Sequence, residues 1–245
     1  MKNADNQFYK RLMLEIFANL SNQYSDNYSE SRFGKRRKPS WKSRLKAAVK
    51  KKLGVKEYIE NQFRELSGQL QELQSAAPEV VKIANVCIEA LQNGHKVIWC
   101  GNGGSAAQSQ HLAAELVGRY KINRPAMNSI SLTVDTSNLT AIGNDYGYDV
   151  VFSRQLEGVG QKGDVLIGLS TSGNSKNVVL AFEQAQKMGI TTVGLVGRKG
   201  GMMKDMANYC IAVPADTSAH IQEMHITIGH LICDLIEKRF YGNAA

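Results

Sequence analysis

The 245-residue sequence is poor in cysteine and proline, and it has no long uninterrupted apolar segment. Its few cysteines form no Cys-x-x-Cys pair, which argues against a disulfide framework and suits reduced thiols in the cytoplasm. No run approaches the roughly 18 apolar residues that a membrane-spanning helix needs, and charged residues interrupt the N-terminal segment where a signal peptide would be apolar. We therefore expect a cytoplasmic protein. The cysteines are Cys87, Cys100, Cys210 and Cys233.

The net charge of +8 comes from one short stretch. Between Arg32 and Lys56 there are twelve basic residues and no acidic one, whereas from Glu57 onward 15 basic residues face 18 acidic ones, a net charge of −3. Nucleic acid is therefore the least favoured partner, although the overall charge first suggests it. The basic composition of residues 32–56 predicts a solvated tail or, alternatively, a segment that makes weak contact with an anionic surface.

Two regions of different composition follow one another along the chain. We assign residues 1–54 to a basic N-terminal extension, partly helical or disordered, and residues 55–245 to an α/β domain. Apolar residues recur at helical spacing twice in the extension and once more at the start of the domain. These residues are Phe8, Leu12, Ile16 and Leu20, then Trp41, Leu45, Ala48 and Val49, then Tyr58, Ile59, Phe63, Leu66, Leu70 and Leu73.

Five short β-branched segments then alternate with helical patterns. This alternation predicts a doubly wound parallel five-stranded sheet flanked by helices and preceded by N-terminal helices. The apolar stripes of those preceding helices must be covered by the domain or by another subunit. The predicted strands are 95–100, 129–134, 164–170, 191–197 and 209–214, and the last helix is predicted from about Ala219 to Tyr241.

Ligands of such sheets bind in the loops that follow the strands. After the first strand, Gly101, Gly103 and Gly104 let backbone N–H groups approach an anion at a helix N-terminus. The same glycines also fit a dinucleotide-binding turn, in which Asp135 would hold a ribose. Because no Gly-Lys-Ser/Thr follows, the loop is not a Walker loop.

The third predicted strand leads into a loop that is rich in hydroxyl groups. Ser170, Thr171, Ser172 and Ser175 precede a helical pattern, so hydroxyls and backbone amides at a helix N-terminus form a receptor for a phosphate dianion without a cationic residue. An ordinary capped turn has the same composition. Two such loops on neighbouring strands favour a small phosphorylated ligand over a dinucleotide.

Two pairs of polar residues lie on predicted helices. His111 and Glu115 are one turn apart, and Gln222 and His230 are about two turns apart on the last helix. Each histidine taken alone is typical of a half-buried, hydrogen-bonded residue. Acid/base chemistry would require the two helices to meet, which spacing alone does not establish.

Four ordered motifs resemble the sugar-isomerase (SIS) domain family, and within it the phosphoheptose isomerases. They are CGNGGSAAQSQHLAAELVGRY, AIGNDYG, GLSTSGNS and HIQEMHITIGH. The resemblance covers residues 56–241, about three quarters of the chain. It implies an aldose-ketose isomerase that converts sedoheptulose 7-phosphate to D-glycero-D-manno-heptose 7-phosphate through an enediolate, in heptose biosynthesis for lipopolysaccharide or surface polysaccharide.

The resemblance also implies roles for individual residues. Glu115 and His230 correspond to the acid/base residues, and one zinc ion per subunit would bind His111, Glu115, Gln222 and His230. Substrate contacts would come from Asn102, Gly103, Gly104, Ser105, Asn144, Asp145, Ser170, Thr171, Ser172, Ser175 and Gln222. The family is homotetrameric, with sites shared between subunits.

The sequence departs from the family pattern at two places. The family often has an acidic residue at the position of Gln108, and Asp-Arg or Ala-Arg at the position of Ala219-His220.

Two alternative functions are compatible with the SIS resemblance. One alternative is a non-catalytic DiaA-like SIS protein that binds the replication initiator DnaA, but that group lacks the acid of Glu115 and has arginine at Ser172. The other, a sugar-phosphate sensor in a transcription regulator, would need a helix-turn-helix that residues 1–54 do not resemble.

Overall fold

The computed structural model describes residues 41–242, with side chains from residue 54 onward. By its internal contacts the chain divides into Met1–Val55 and Lys56–Ala245. The helix predicted over Phe8 to Leu20 lies outside the described residues, and the anionic-surface contact of residues 32–56 stays a prediction. Among the described helices, none is both long and apolar enough to cross a membrane.

Eight α-helices and five strands follow one another in the described residues, with the first helix continuous across the predicted boundary after residue 54. The helices are α1 Trp41–Leu73, α2 Ala77–Gln92, α3 Gly104–Val117, α4 Thr136–Tyr146, α5 Val151–Val159, α6 Lys176–Met188, α7 Gly201–Met206 and α8 Ser218–Tyr241. The strands are β1 Val97–Gly101, β2 Ser129–Ser131, β3 Val165–Ser170, β4 Thr191–Val196 and β5 Tyr209–Ala212.

The strands form one parallel sheet in the order β2-β1-β3-β4-β5. This confirms the predicted fold class and all five predicted strands, of which β2 is the most shortened. Because the strands are parallel, every loop that follows a strand leaves the same edge of the sheet, here called the carboxyl edge. The strand order reverses between β1 and β3, which is where ligands bind in such sheets.

Alternate residues of each central strand supply the two hydrophobic layers. On β1, Val97 and Trp99 pack with α2, α3 and α8, whereas Ile98 and Cys100 pack with α5 and α6 on the other face. Both faces of the sheet are therefore covered, which explains why the strands are continuously apolar rather than alternating.

Helices α3 and α8 run side by side in the same direction on one face of the sheet. Residue numbers in the two helices rise together along their contacts, from Gln108 with Gln222 to His111 with His230. Beside the second of these contacts, a side chain at Gly229 would overlap the fully buried Leu112. The absence of a Cβ at Gly229 therefore sets how closely the two helices approach.

We expect Gly229→Ala to lower the free energy of unfolding by about 1 to 2 kcal/mol, because overpacking against Leu112 outweighs the higher helix propensity of alanine. Urea unfolding at fixed protein concentration would measure the change. Gly158→Ala is the matched control: Gly158 is an exposed helical glycine with no atom within 4 Å of its added Cβ. It should raise stability by up to about 1 kcal/mol. An unchanged Gly229→Ala variant would show that Leu112 can move aside.

Candidate active site

The loops after β1 and β3 begin side by side at the carboxyl edge, where Gly101 pairs with Leu169. Asn102 and Asn177 join them through two reciprocal amide hydrogen bonds: Asn102 Nδ2 donates to Asn177 Oδ1 at 2.8 Å, and Asn177 Nδ2 donates back at 2.9 Å. Gly103 has a φ of +55°, a backbone conformation that favours glycine. The predicted anion-binding turn is therefore tied to the first turns of both α3 and α6.

The loop after β3, residues 170–175, holds its hydroxyl groups close together. Ser170 Oγ lies 2.8 Å from Ser175 Oγ and 3.4 Å from Ser172 Oγ, and the backbone N–H of Asn174 donates to Ser172 Oγ at 3.1 Å. Ser175 is the N-cap of α6, without a side-chain bond to that helix. The hydroxyls and the free amides of α6 are thus gathered at one point, as a phosphate receptor requires.

A cavity of about 320 Å³ opens beside this loop. Thr171, Ser172 and Asn174 line one side, and Arg198 and Lys199, from the loop after β4, line another. The sequence predicted a phosphate receptor of neutral donors alone, so the two cationic residues are an addition. The sequence signal was a second glycine-rich turn, GRKGG, after a strand of the same sheet.

A cluster of His111, Glu115 and His230 lies between α3 and α8. His111 Nε2 is 3.1 Å from Glu115 Oε1 and 2.9 Å from His230 Nε2. The three candidate ligand atoms all lie within 4.8 Å of one another. The two helices therefore do meet where the acid/base residues were expected. Burial and the nearby His111 lower the pKa of His230 from its ordinary value, despite the opposing charge of Glu115.

A buried ion pair holds the chain segment that follows this cluster. Arg124 Nε donates to Glu237 Oε1 at 3.1 Å, and neither side chain is more than 1% exposed. Arg124 also donates to the carbonyl of Glu115, and Glu237 accepts backbone N–H groups from Lys121 and Ile122. Burial alone would raise the pKa of Glu237, but the hydrogen bonds and the Arg124 charge together have the larger effect, so the pKa is lowered from its ordinary value.

Because its polar atoms are bonded, the network stabilises a fixed position for the end of α3. It also places Tyr120 against His230, with ring centroids 5.6 Å apart and the planes stacked. Neither Arg124 nor Glu237 stands in a recognisable motif, so the sequence did not indicate this ion pair.

Gln222 lies at the other end of the helix pair from the cluster. Its amide occupies the space beside Gly104, where an added Cβ would be 2.6 Å from Gln222 Oε1. Eight residues of helix separate Gln222 from His230, a rise of about 12 Å. Within one chain, three of the four expected zinc ligands therefore come together, and Gln222 belongs to the carboxyl edge.

The remaining candidates lie near the β2 side of the sheet. Asn144 and Asp145 hydrogen-bond to one another at the exposed end of α4, and Tyr148 just beyond them donates to Asn102 Oδ1 at 3.5 Å. Ser105 is buried in the first turn of α3. Asp135 is the N-cap of α4, and its side chain accepts a hydrogen bond from the backbone N–H of Asn138. The residue that would hold a ribose in a dinucleotide-binding protein therefore has a structural role here.

The donor set of His111, Glu115 and His230 fits a zinc ion. Two imidazole nitrogens and one carboxylate oxygen are the ligands of many catalytic zinc sites, which leave a further position open. The two Nε2 atoms lie 2.9 Å apart, so one ring donates a hydrogen bond to the other, and both nitrogens are available as ligands when the rings carry their protons on Nδ1.

Known proteins with similar sequences match about three quarters of the chain. The SIS domain profile matches residues 58–197. The phosphoheptose isomerase of Akkermansia muciniphila is 61% identical over 188 residues, 77% of this chain and 100% of that protein. That of Helicobacter pylori strain P12 is 50% identical over 187 residues, 76% of this chain and 97% of that protein.

The chain belongs to the phosphoheptose isomerase family of SIS-domain proteins. Solved structures agree. Phosphoheptose isomerase GmhA from Neisseria gonorrhoeae has a TM-score of 0.71 at 41% identity, covering 75% of this chain and 99% of that one. A phosphoheptose isomerase from Francisella tularensis has a TM-score of 0.73 at 34% identity, covering 75% and 98%.

Of the two departures from the phosphoheptose isomerase pattern, the structure explains one. Gln108 Nε2 donates to the backbone carbonyl of Gln222 at 2.6 Å, a bond that an ionised acidic side chain could not make. His220 is buried in the first turn of α8, with Nδ1 3.9 Å from Glu65 Oε1 on α1. That distance exceeds a hydrogen bond, and nothing in the structure explains the choice of histidine there.

His225, also on α8, is completely buried, and neither ring nitrogen has a hydrogen-bond partner in the described structure. Burial lowers its pKa to about 4, against a smaller opposing effect of the Val196 carbonyl. The folded protein therefore keeps this ring neutral. Below an ordinary histidine pKa of about 6.5, the unfolded chain takes up a proton that the folded chain does not, so stability is lost as the pH falls from there toward 4.

We expect wild type to lose about 2 kcal/mol more stability than His225→Leu between pH 7.5 and pH 5, because leucine removes this proton uptake by the unfolded chain. Urea unfolding of both proteins at the two pH values would measure the difference. Met224→Leu is the control, since Met224 is fully buried on the same helix and does not titrate, so the pH dependence of this variant should stay parallel to that of wild type. Parallel curves for His225→Leu would contradict the expectation.

Proposed function

We propose that this enzyme converts sedoheptulose 7-phosphate to D-glycero-D-manno-heptose 7-phosphate, supplying heptose precursors for lipopolysaccharide or surface polysaccharide. The observation that carries the proposal is the meeting of Glu115 and His230 at His111, because isomerisation needs a base and an acid on the same substrate. The 50–61% identity to phosphoheptose isomerases supports the choice of sugar.

Glu115 and His230 divide the proton transfers between them. The Glu115 carboxylate takes the proton from C1 of the ketose and returns it to C2 of the enediolate. His230 donates a proton to the carbonyl oxygen at C2 and accepts the proton of the hydroxyl at C1. The ring therefore starts protonated, is neutral in the enediol state and is protonated again at the end, and the pKa lowered by burial makes it a stronger acid toward the C2 oxygen.

The substrate phosphate would bind the loop after β3. The clustered hydroxyls of Ser170, Ser172 and Ser175, with Thr171 at the cavity, supply donors, and the N-terminus of α6 supplies partial positive charge. Asn102 to Ser105, at the adjoining turn, would contact the sugar. Asn144 and Asp145 remain candidates for substrate contact on the strength of the resemblance alone.

Zinc is the proposed cofactor, held by His111, Glu115 and His230. When bound, it would polarise substrate oxygens and favour the enediolate. A ring nitrogen that binds zinc cannot also transfer a proton, so the transfers assigned to His230 would use the other nitrogen of the ring. Tyr120 stacked on His230, and the Arg124 bond to the Glu115 carbonyl, would keep two of the three ligands oriented. Gln222, the fourth ligand that the resemblance implies, would reach the ion from a different subunit.

The separation of the two halves of the site supports sharing between subunits. Glu115 lies eleven residues beyond Gly104 on α3, a rise of about 16 Å, so the acid/base cluster is far from the phosphate loop at the carboxyl edge. A single chain thus presents the two halves at opposite ends of the sheet. We propose a homotetramer in which the phosphate loop of one subunit faces the acid/base cluster of another.

Exposed apolar surface also supports an oligomer. On α1, Tyr58 and Phe63 are 62% and 69% exposed, although their spacing predicts a buried stripe. A groove of about 740 Å³ lined by Leu70, Val81 and Leu231, among others, adjoins it. Surface of this kind is usually covered in oligomers. The tetramer would have the mass of four 27.0 kDa chains by light scattering.

No observation favours the DiaA-like alternative. That group lacks the acid of Glu115 and has an arginine at the position of Ser172, whereas this chain has Glu115 beside His111 and Ser172 in the hydroxyl loop. Binding to DnaA without isomerase activity would support it.

We expect Glu115→Gln to lower kcat by about a thousandfold, because the amide cannot accept the C1 proton. Proton NMR would follow formation of the aldose from sedoheptulose 7-phosphate, and in D₂O the wild-type product should carry deuterium at C2. The zinc content of wild type, measured in the same preparation, should be one ion per subunit. Wild type without turnover would refute the proposed function.

The matched control is Glu157→Gln, which removes an exposed carboxylate from α5 on the opposite face of the sheet. It should turn over like wild type, and both variants should keep the wild-type oligomeric mass. Full activity of Glu115→Gln in an intact oligomer would remove Glu115 from the mechanism.

Mixing two inactive variants tests whether the site is shared. Glu115→Gln carries an intact phosphate loop, and Ser172→Asp carries an intact acid/base cluster but a negative charge where phosphate would bind. Co-expressed in equal amounts, they should recover about a quarter of wild-type activity. In random assembly, about half of the sites receive an intact phosphate loop, and about half of those also receive an intact acid/base cluster. Absence of recovery in verified mixed oligomers would place the whole site within one chain.

A further inference from the structure

The cavity beside the loop after β3 is lined by charged side chains as well as by neutral hydrogen-bond donors. Its lining combines Thr171, Ser172 and Asn174 with Arg198, Lys199 and Asp216. A phosphate dianion in contact with the hydroxyls would therefore lie in a space that also receives two cationic side chains. Which of these cations is free to act on an anion decides what the cavity can bind.

The backbone carrying these cations is attached to the hydroxyl loop. Met202 N–H donates to Asn174 Oδ1 at 2.9 Å, and Met203 N–H donates to the carbonyl of Gly173 at 3.0 Å. Gly173 and Gly200 both have positive φ, and a side chain at Gly173 would overlap the carbonyl of Gly200. The loop after β4 is therefore held against the loop after β3 by direct backbone contact.

Arg198 is occupied by other partners. Its Nη1 donates to Glu72 Oε1 at 3.2 Å, its Nη2 donates to the carbonyl of Pro214 at 2.6 Å, and its Nε lies 3.5 Å from Asp216 Oδ2. Its charge is thus offset by two carboxylates, and its donors are directed along the wall of the cavity.

Lys199 differs from Arg198 in this respect. It lines the same cavity, its side chain is exposed, and it forms no ion pair within the part of the chain that the structure describes. Because Glu72 and Asp216 pair with Arg198, Lys199 is the cation of the cavity lining that no described carboxylate pairs with.

We infer that Lys199 is the cationic residue of the phosphate subsite and makes the cavity selective for a dianion. The hydroxyls and amides of the loop after β3 orient the phosphate, and the Lys199 ammonium neutralises it, as a flexible point charge on a phosphate does. This inference rests on the proposed function, which it deepens by adding a specificity-determining residue outside the family motifs.

The test compares Lys199→Gln, Lys199→Arg and wild type as full-length proteins. Inorganic phosphate is the probe, titrated by calorimetry and as a competitive inhibitor of sedoheptulose 7-phosphate turnover. Lys199→Gln should weaken phosphate binding and raise KM by about tenfold, the effect expected for one charge-assisted hydrogen bond. Its kcat should stay within about twofold of wild type, because the lost contact exists equally in ground and transition states.

Lys187→Gln is the matched control, since Lys187 lies in the last turn of α6, at the far end of that helix from the loop. It should bind phosphate like wild type, and Lys199→Arg should restore most of the lost affinity. Unchanged phosphate affinity in a folded Lys199→Gln protein would overturn the inference, as would a wild type that binds no phosphate. If phosphate binding weakens in Lys199→Gln but wild type does not isomerise the sugar, the inference stands and the proposed function fails.

Discussion

The close contact of α3 and α8 is the constraint on which the arrangement of the candidate site depends. At Gly229 there is no side chain, and the fully buried Leu112 fills that space, so the two helices approach closely enough for His111 and His230 to face one another at 2.9 Å. The same contact aligns Gly104 with Gln222 two turns earlier. One packing position therefore determines both the acid/base cluster and the place of Gln222.

The two ends of the domain are stabilised by different kinds of interaction. At the carboxyl edge, glycines with positive φ let the loops after β3 and β4 touch through their backbones. At the far end, the buried pair of Arg124 and Glu237 holds the chain after α3 through backbone hydrogen bonds. Removing either member of the pair would leave a buried charge unpaired, which is strongly destabilising, so the pair commits this segment to one arrangement.

The features predictable from sequence were local ones. Five β-branched segments and the glycines after them specify strands and turns by short-range patterns, and the i,i+4 spacing of His111 and Glu115 sets their contact within one helix. The meeting of His111 with His230 was not predictable, because it depends on packing between residues more than a hundred positions apart. Only the motif resemblance pointed to it, and it did not distinguish Gln222, which lies with Gly104 instead.

Net charge shows why the phosphate subsite could not be inferred from composition. The positive charge of the chain is concentrated in residues 32–56, and the domain from Glu57 onward is net −3. An acidic domain that binds a dianion must create positive potential locally, and screening limits the reach of distant charges to about 8 Å at physiological salt. Helix α6 contributes its N-terminal amides, and Arg198 is offset by Glu72 and Asp216. The positive potential in the cavity therefore depends on the position of Lys199, which the net charge of the sequence does not indicate.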